Sequence, residues 1–224
     1  MPIEVRRATE RYRTEIAGRF TAHSFAFGEH YDPGNLSFGA MIAHNDELLV
    51  PGAGYDDHLH RDTEIVTWVV SGALRHTDDL GHSSVVTPGQ VQVLSAGSGV
   101  THAEVNAAST PTRFIQTWLR PDESSLTPRY SVESVPDVEG WTVLAGPGGI
   151  PLNTSGATLY LGRSSEEILA LPQAKRLHVF VVEGSITIGE REIRPSAAAR
   201  LVDEGGRRIH PTHPQTSVLV WALD

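Results

Sequence analysis

The sequence contains no cysteine among its 224 residues. This absence excludes disulfide scaffolds, thiolate nucleophiles, iron–sulfur clusters and zinc sites built on sulfur. Basic residues are also few, with 18 Lys and Arg against 27 Asp and Glu and a formal net charge of −9. Because binding to a phosphate backbone needs a basic surface, this charge balance argues against direct nucleic-acid binding.

Long apolar runs are missing as well. No stretch approaches the roughly 18 apolar residues of a membrane-spanning helix, and the opening MPIEVRRATERYR lacks the apolar core of a secretory signal. We therefore expect a cytoplasmic protein with no membrane partner. The G-x-S-x-G and H-E-x-x-H motifs are absent too, which excludes the common hydrolase and zinc-protease signatures.

What the sequence does contain is a series of short, β-branched runs separated by 21 glycines and 14 prolines. This pattern favours a β-sandwich or barrel over alternating strands and helices. The predicted strands are 64–70, 85–87, 91–94, 113–119, 179–182, 185–188 and 217–221. Helix is predicted only at 164–171, where a serine precedes two glutamates, and as a turn near 9–16.

A weak internal repeat predicts a duplicated barrel. WVVSGAL at 68–74 resembles FVVEGSI at 180–186, and each stretch reads as strand, tight turn, strand. The polar, proline-containing stretch between the two halves has the composition of a linker. We predict an N-terminal barrel with a metal site at 1–121, a linker at 122–140, and a C-terminal barrel at 141–224.

Two pairs of polar side chains indicate a metal site. His58 and His60 flank a single residue just before a predicted strand, and His102 and Glu104 repeat this spacing. Side chains at i and i+2 of a strand lie on the same face. If the two strands face each other across a barrel interior, three imidazoles and one carboxylate converge on one point.

This sulfur-free ligand set suits a divalent Fe, Mn, Ni, Cu or Zn ion. Ions that take five or six ligands would keep positions open for water, substrate or O₂, which favours a reactive site over a structural one. The alternative is that these side chains are hydrogen-bonded core residues, because an H-x-H pair also occurs by chance. Two pairs of matching spacing, each beside glycine-rich turns, favour the metal.

Other polar residues on the predicted strands have two open interpretations. Glu64 is in register with the histidine pair and could be a fifth ligand or, as we favour, an acceptor for a ligand's N–H. His76 and Asp78 have strand spacing and are expected to bond locally rather than bind metal. Gln92 and Gln116 could orient a ligand histidine, or could simply have their hydrogen bonds satisfied within the core.

The same residues resemble the two motifs of the cupin family. The first motif is matched by Gly52, His58, His60 and Glu64, with Gly72 one position late. The second motif is matched by Gly89, Gly97, His102 and Asn106. This second match departs from the family pattern because Ser95 replaces a proline and four residues rather than two precede the histidine.

A longer stretch is similar to the pirin family within the cupins. The similarity covers about residues 4–130, including HSFAFGEHYDPGNLSFG, HNDELLVPGAGY and HLHRDTEIVTWVVSGALRH. It implies two jelly-roll cupin barrels packed together, with few short helices. It also implies one metal in the N-terminal barrel, most often Fe(II), held by residues matching His58, His60, His102 and Glu104. Leu59 stands where the family usually has proline between the two histidines.

The pirin resemblance implies an activity as well. Bacterial members include quercetin 2,3-dioxygenases, which open a flavonol ring with O₂, and Glu104 would be the base for the flavonol 3-hydroxyl. Two alternatives stay open: a non-enzymatic regulator whose metal state is read by a protein partner, and a cupin enzyme for another small substrate. The repeat places no ligand-type residue at the equivalent C-terminal positions, so no second metal site is expected there. The oligomeric state is not determined by the sequence.

Overall fold

The computed structural model describes residues 3–165 and 167–224, which form an all-β chain as predicted. The strands up to residue 134 are β1 (Glu4–Arg6), β2 (Tyr12–Ile16), β3 (Arg19–His23), β4 (Met41–Leu49), β5 (Gly54–His60), β6 (Glu64–Ser71), β7 (Leu74–Asp78), β8 (Ser83–Val86), β9 (Gln90–Ser95), β10 (Val100–Asn106), β11 (Thr112–Leu119) and β12 (Arg129–Ser134). The later strands are β13 (Gly140–Ala145), β14 (Ala157–Ser164), β15 (Leu169–Ala170), β16 (Arg176–Glu183), β17 (Ile186–Ile188), β18 (Arg191–Ile193), β19 (Ala198–Val202), β20 (Arg208–Pro211) and β21 (Thr216–Leu223).

The described residues divide into two compact units. The N-terminal unit comprises residues 12–135 and 152–155, and the C-terminal unit comprises 3–11, 136–151 and 156–224. Each unit contains one large and one four-stranded antiparallel sheet, as expected for a cupin-type barrel. No helix in the described ranges is long and apolar enough to cross a membrane.

The N-terminal unit is built from a seven-stranded sheet, β12-β9-β6-β11-β4-β3-β2, and a four-stranded sheet, β5-β10-β7-β8. Apolar side chains from both sheets meet in one buried cluster, because alternate residues of each strand point to the same side. The cluster consists of Leu49, Val69, Leu74, Val86 and Phe114. Strands β5, β7 and β10, which carry the histidines of the predicted metal site and His76, are neighbours in the smaller sheet.

The C-terminal unit repeats this architecture with a six-stranded sheet, β1-β19-β16-β21-β14-β13, and a four-stranded sheet, β15-β20-β17-β18. Alternate residues of β16, namely Leu177, Val179 and Val181, are fully buried in its core. Ile186 and Ile209 reach the same core from the smaller sheet. Burial along β16 is continuous from Leu177 to Val182, so the strand is recognisable by its short, β-branched apolar run and not by alternation.

The predicted helix at 164–171 is wrong. β14 ends at Ser164 and β15 spans Leu169–Ala170, with no helix among the described residues between them; position 166 lies outside the described residues. The Ser164 hydroxyl donates to the carbonyl oxygen of Glu167 and so closes a turn. Leu169 and Leu171 are both buried, which is the alternation of an extended chain, and this burial outweighs the local capping signal.

The second helical prediction, near 9–16, is only partly met. A single 3₁₀ turn covers Ala8–Glu10, with the Glu10 carboxylate accepting from the backbone N–H of Arg7 at 2.9 Å. The chain then continues directly into β2, which pairs with β3. The segment 122–140, predicted as a linker, includes β12, which pairs with β9 along its whole length.

Candidate metal centre

Three histidines meet on two neighbouring strands of the smaller sheet. β5 and β10 pair antiparallel, with His102 directly opposite His58 and His60 opposite Val100. The ring centroid of His102 lies 4.4 Å from that of His58 and 5.1 Å from that of His60. Candidate ligand nitrogens of the three rings all lie within 4.8 Å of one another, a spacing that one cation can bridge.

The route to this convergence differs from the expected one. The sequence suggested two strands facing each other across a barrel, whereas β5 and β10 are hydrogen-bonded neighbours in one sheet. Directly opposed residues on paired strands have Cβ atoms about 4.5–5.5 Å apart, which is enough to bring His58 and His102 together.

Glu104 follows an irregularity in the strand pairing and shares only His102 with the three-histidine cluster. The register shifts between His102 and Glu104, so that Glu104 opposes Tyr55 rather than Asp56. An extra residue in one strand bends it and re-aims the side chains that follow. A carboxylate oxygen of the buried Glu104 lies within 4.8 Å of candidate nitrogens of His102 and of a further buried histidine, His76.

Two buried amides hold the Glu104 carboxylate. Gln92 Nε2 donates to Oε1 at 3.0 Å, and Gln116 Nε2 donates to Oε2 at 2.8 Å. The amide oxygens accept in turn from the Tyr130 hydroxyl and the Trp118 indole N–H, both at 2.9 Å, which sets the orientation of each amide. Neither amide bonds a histidine within the described residues, so the suggested orientation of a ligand histidine is not what they do; they hold Glu104 instead.

The ring nitrogens of two histidines are poised for a cation. His58 Nδ1 lies 2.7 Å from the carbonyl oxygen of Asp56, and since a carbonyl can only accept, this nitrogen carries the proton and Nε2 keeps a lone pair. His102 is 1% exposed, and its Nε2 has no hydrogen-bond partner among the described residues. Leaving a buried polar atom unpaired costs about 1–3 kcal/mol, which a bound metal would offset. The donor set therefore fits a divalent transition metal.

Burial and mutual repulsion lower the pKa values of His60 and His102 and keep these two imidazoles neutral. Burial lowers the pKa of His60 to about 4, and the neighbouring rings of His102 and His58 lower it further because two cations would lie side by side. Burial likewise lowers the pKa of His102 to about 3, with His58 and His76 adding to the effect. Neutral imidazole is the form that binds metal, so protons compete weakly for these two side chains near pH 7.

Glu64 serves a different purpose from the one expected. Its buried carboxylate accepts from the Ser95 hydroxyl at 2.7 Å and from the backbone and side-chain N–H groups of Asn153, both at 3.1 Å. None of its hydrogen bonds within the described ranges goes to a histidine. Glu64 therefore anchors residues 152–155 to β6 rather than orienting a ligand.

A buried glutamate and a partly buried tyrosine near the cluster were missed by sequence reasoning. Glu47 on β4 accepts from the Thr21 hydroxyl at 2.5 Å and the Tyr55 hydroxyl at 2.9 Å through one oxygen. Burial raises the pKa of Glu47 to about 7, although both of these hydrogen bonds act in the opposite direction. Burial also raises the pKa of Tyr55. No local spacing signals this pair, because the contact joins strands that only tertiary structure brings together.

Aromatic side chains border the cluster on one side. Trp118 meets His60 edge to face, with ring centroids 4.8 Å apart, and Phe27 meets Trp118 in the same manner at 5.1 Å. Trp118 is partly buried, whereas Trp68 is 6% exposed. The guanidinium of Arg113 is paired with Asp46 through two hydrogen bonds of 2.9 and 3.0 Å.

Comparisons with known proteins identify the family of the chain. The sequence profile of the pirin family matches residues 5–119. A Mycobacterium tuberculosis protein provisionally named quercetin 2,3-dioxygenase is 38% identical over 99% of this chain and 95% of its own length. An Escherichia coli K12 protein named quercetin 2,3-dioxygenase is 31% identical over 93% of each chain.

Solved structures are similar over the full chain. The crystal structure of YhhW from Escherichia coli matches with a TM-score of 0.92 at 29% identity, covering 100% of this chain and 98% of that one. A second structure of that bacterial pirin, in complex with nickel(II), has a TM-score of 0.90 at 28% identity and covers 99% of each chain. From the profile match and these full-length relatives, the chain belongs to the pirin family.

Proposed function

We propose that this protein is a metal-dependent dioxygenase of the quercetin 2,3-dioxygenase type, which cleaves a flavonol ring with O₂. One divalent metal, foremost Fe(II), would be held by His58, His60, His102 and Glu104. The observation that carries the proposal is the buried, unpartnered Nε2 of His102 within a cluster of three imidazoles. Relatives named quercetin 2,3-dioxygenase support the choice of reaction.

Glu104 is the catalytic base in this proposal. The metal would supply a Lewis acid for the flavonol 3-hydroxyl and a centre for O₂ chemistry. Glu104 would take the proton from that hydroxyl on a carboxylate oxygen and hold it during ring opening. Gln92 and Gln116, by donating to one oxygen each, keep the carboxylate in a fixed orientation throughout.

The surroundings favour a planar polyphenol over a small acid. Trp118 and Phe27 provide aromatic surface directly beside His60, on which a flat ring system can pack. A small carboxylate substrate would need a basic side chain near the metal; of the two candidates nearest in sequence, Arg61 and Arg113, the latter is paired with Asp46. A cytoplasmic location, inferred from the sequence, is kept as part of the proposal.

Aerobic incubation with quercetin tests the proposal. Protein loaded separately with Fe(II), Cu(II), Mn(II) and Ni(II) should deplete the flavonol absorbance and release carbon monoxide with at least one metal. A flavone that lacks the 3-hydroxyl should not react, and Glu104→Gln should lose turnover. Absence of turnover in all four metal-loaded samples, with metal content verified, would disprove the quercetinase activity. A protein partner captured only by the metal-loaded protein would then favour the regulatory alternative.

A further inference from the structure

The carboxylate of Asp78 lies behind the histidine cluster, at the end of β7. Its side chain is fully buried, and Oδ1 accepts from the backbone N–H groups of Leu80 at 3.1 Å and His82 at 2.9 Å. Its Oδ2 lies 3.1 Å from Nε2 of His76. Because backbone N–H groups can only donate, Asp78 is held as an acceptor on this side.

His76 stands between Asp78 and a ligand of the metal centre. Its ring is fully buried and stacked on Tyr130, with centroids 4.2 Å apart and planes 11° from parallel. Its Nδ1 lies 3.4 Å from Nδ1 of His102, a long hydrogen bond. Both ring nitrogens of His76 are therefore occupied by neighbours, one facing Asp78 and the other facing His102.

Asp78, His76 and His102 lie in a row, and the proton positions along it follow from the Asp78 carboxylate, the acceptor at one end. His76 donates Nε2–H to Asp78, so a neutral His76 presents a lone pair at Nδ1. That lone pair accepts Nδ1–H from His102, which leaves the lone pair of His102 on Nε2. This is the buried nitrogen that lacks a partner among the described residues.

We propose that Asp78 and His76 form a relay that places the His102 proton on Nδ1, aims Nε2 at the metal and strengthens His102 as an electron donor. Both are positioning residues, since neither touches the metal or substrate in this arrangement. The inference rests on the metal site of the proposed function and not on the flavonol reaction. Partners behind a ligand histidine typically change metal affinity about 10–100-fold when removed.

Metal affinity tests the relay independently of catalysis. Competition between the protein and a chelator for Ni(II) should show about 10–100-fold weaker binding in Asp78→Asn and His76→Gln. His82→Gln is the matched control, because it removes the half-exposed imidazole that also contacts Asp78 Oδ2, at 2.8 Å, and leaves the contacts of His76 with Asp78 and His102 in place. It should bind Ni(II) as tightly as the unmodified protein. Equal affinity in Asp78→Asn and the unmodified protein would overturn the relay.

A spectroscopic readout separates the relay from a structural role, and its first measurement uses the unmodified protein. In the metal-free protein labelled with ¹⁵N-histidine, the ring nitrogen shifts of His102 should report a proton on Nδ1 and none on Nε2. A proton on Nε2 would contradict the proposal. Cu(II) bound to His76→Gln should keep the same number of coordinating imidazoles as the unmodified protein, and loss of one would instead make His76 a ligand.

Discussion

Single hydrogen bonds decide which nitrogen of each histidine can bind a metal. His58 donates from Nδ1 to a backbone carbonyl, and His102 has its Nδ1 beside His76. Both rings therefore keep Nε2 for the cluster that they form with His60. Glu104 accepts one amide N–H on each oxygen, which limits its rotation. The chemistry of the site thus depends on contacts that surround the four predicted ligands.

Removing a predicted ligand should remove the metal. We expect His60→Ala and His102→Ala to be purified with a small fraction of the metal bound by the unmodified protein, because each loses one of three converging nitrogens. His178→Ala, a buried histidine of the C-terminal unit, should retain full metal content. Elemental analysis by mass spectrometry measures this directly. Undiminished metal in His102→Ala would count against the site.

Glu47 should make stability fall as pH rises. Burial raises its pKa from 4.5 to about 7, so the folded state binds this proton more tightly than the unfolded state. This contribution to the free energy of unfolding amounts to roughly 3 kcal/mol. It is fully present below pH 4.5 and is lost as pH rises through about 7. Glu47→Gln cannot titrate and should gain stability relative to the unmodified protein across this window.

Urea denaturation of metal-free protein at a series of pH values measures this effect. The lowered pKa values of His60 and His102 act in the opposite direction, but they are common to both proteins and cancel in the difference. Glu133→Gln, which changes an exposed glutamate on β12, is the control. Its free energy of unfolding should change with pH in the same way as that of the unmodified protein. If the unfolding free energy of Glu47→Gln also changes with pH in the same way as that of the unmodified protein, Glu47 is not the source of the pH dependence.

At the scale of the strand, the pairing of β5 with β10 assembles the site. The two strands approach so closely that a Cβ on Gly54 would lie 2.1 Å from the Glu104 carbonyl oxygen and 2.6 Å from the Val105 Cα. The register shift that follows His102 then sets where Glu104 points. Only glycine permits this approach, so the placement of Glu104 depends on a residue that carries no chemistry itself.

Gly54→Ala should therefore damage both stability and metal binding. The added methyl meets backbone atoms that cannot rotate away, and we expect a loss of about 1–3 kcal/mol in unfolding free energy together with reduced metal content. Gly34→Ala is the control, because its Cβ would meet only the end of the Asp32 side chain at 3.3 Å. Chemical denaturation and elemental analysis measure the two effects. A fully stable, metal-replete Gly54→Ala would refute this reading of the close contact.

Several strands were predictable from local patterns, and others were not. The run at 64–70 corresponds to β6 (Glu64–Ser71), and the run at 113–119 corresponds to β11 (Thr112–Leu119). Their buried, β-branched composition makes them recognisable. β5 contains the polar stretch Asp56–Asp57–His58 and does not resemble a strand by hydrophobicity, although it carries two of the predicted ligands. The prediction of a helix at 164–171 was wrong, because the burial of Leu169 and Leu171 outweighed a local capping signal.

At the scale of the whole molecule, the two units share an architecture but not the chemistry. Both groups of metal-competent side chains found among the described residues lie in the N-terminal unit. Residues 152–155 complete that unit by supplying two hydrogen bonds to the buried Glu64 carboxylate. A buried carboxylate without these donors would be costly, so the fold of the N-terminal unit depends on a segment remote in sequence.

Metal should stabilise the folded chain by mass action. With free Ni(II) at 100 times its dissociation constant, the folded state should gain about 2.7 kcal/mol, because a site assembled from separate strands does not exist in the unfolded chain. Thermal unfolding with and without a chelator measures the shift. His102→Ala should unfold at the same temperature under both conditions. An equal response to Ni(II) in this variant would indicate binding elsewhere.

The sequence by itself determined the all-β class, the pirin resemblance and the four residues from which the metal site is proposed. These inferences depend on local periodicity, since residues two apart on a strand always share a face. Only the tertiary structure decided that β5 and β10 are neighbours in one sheet, that Gln92 and Gln116 hold Glu104, and that His76 stands behind His102. These contacts depend on strand order and on a one-residue register shift, which no local pattern encodes because many pairings satisfy the same alternation.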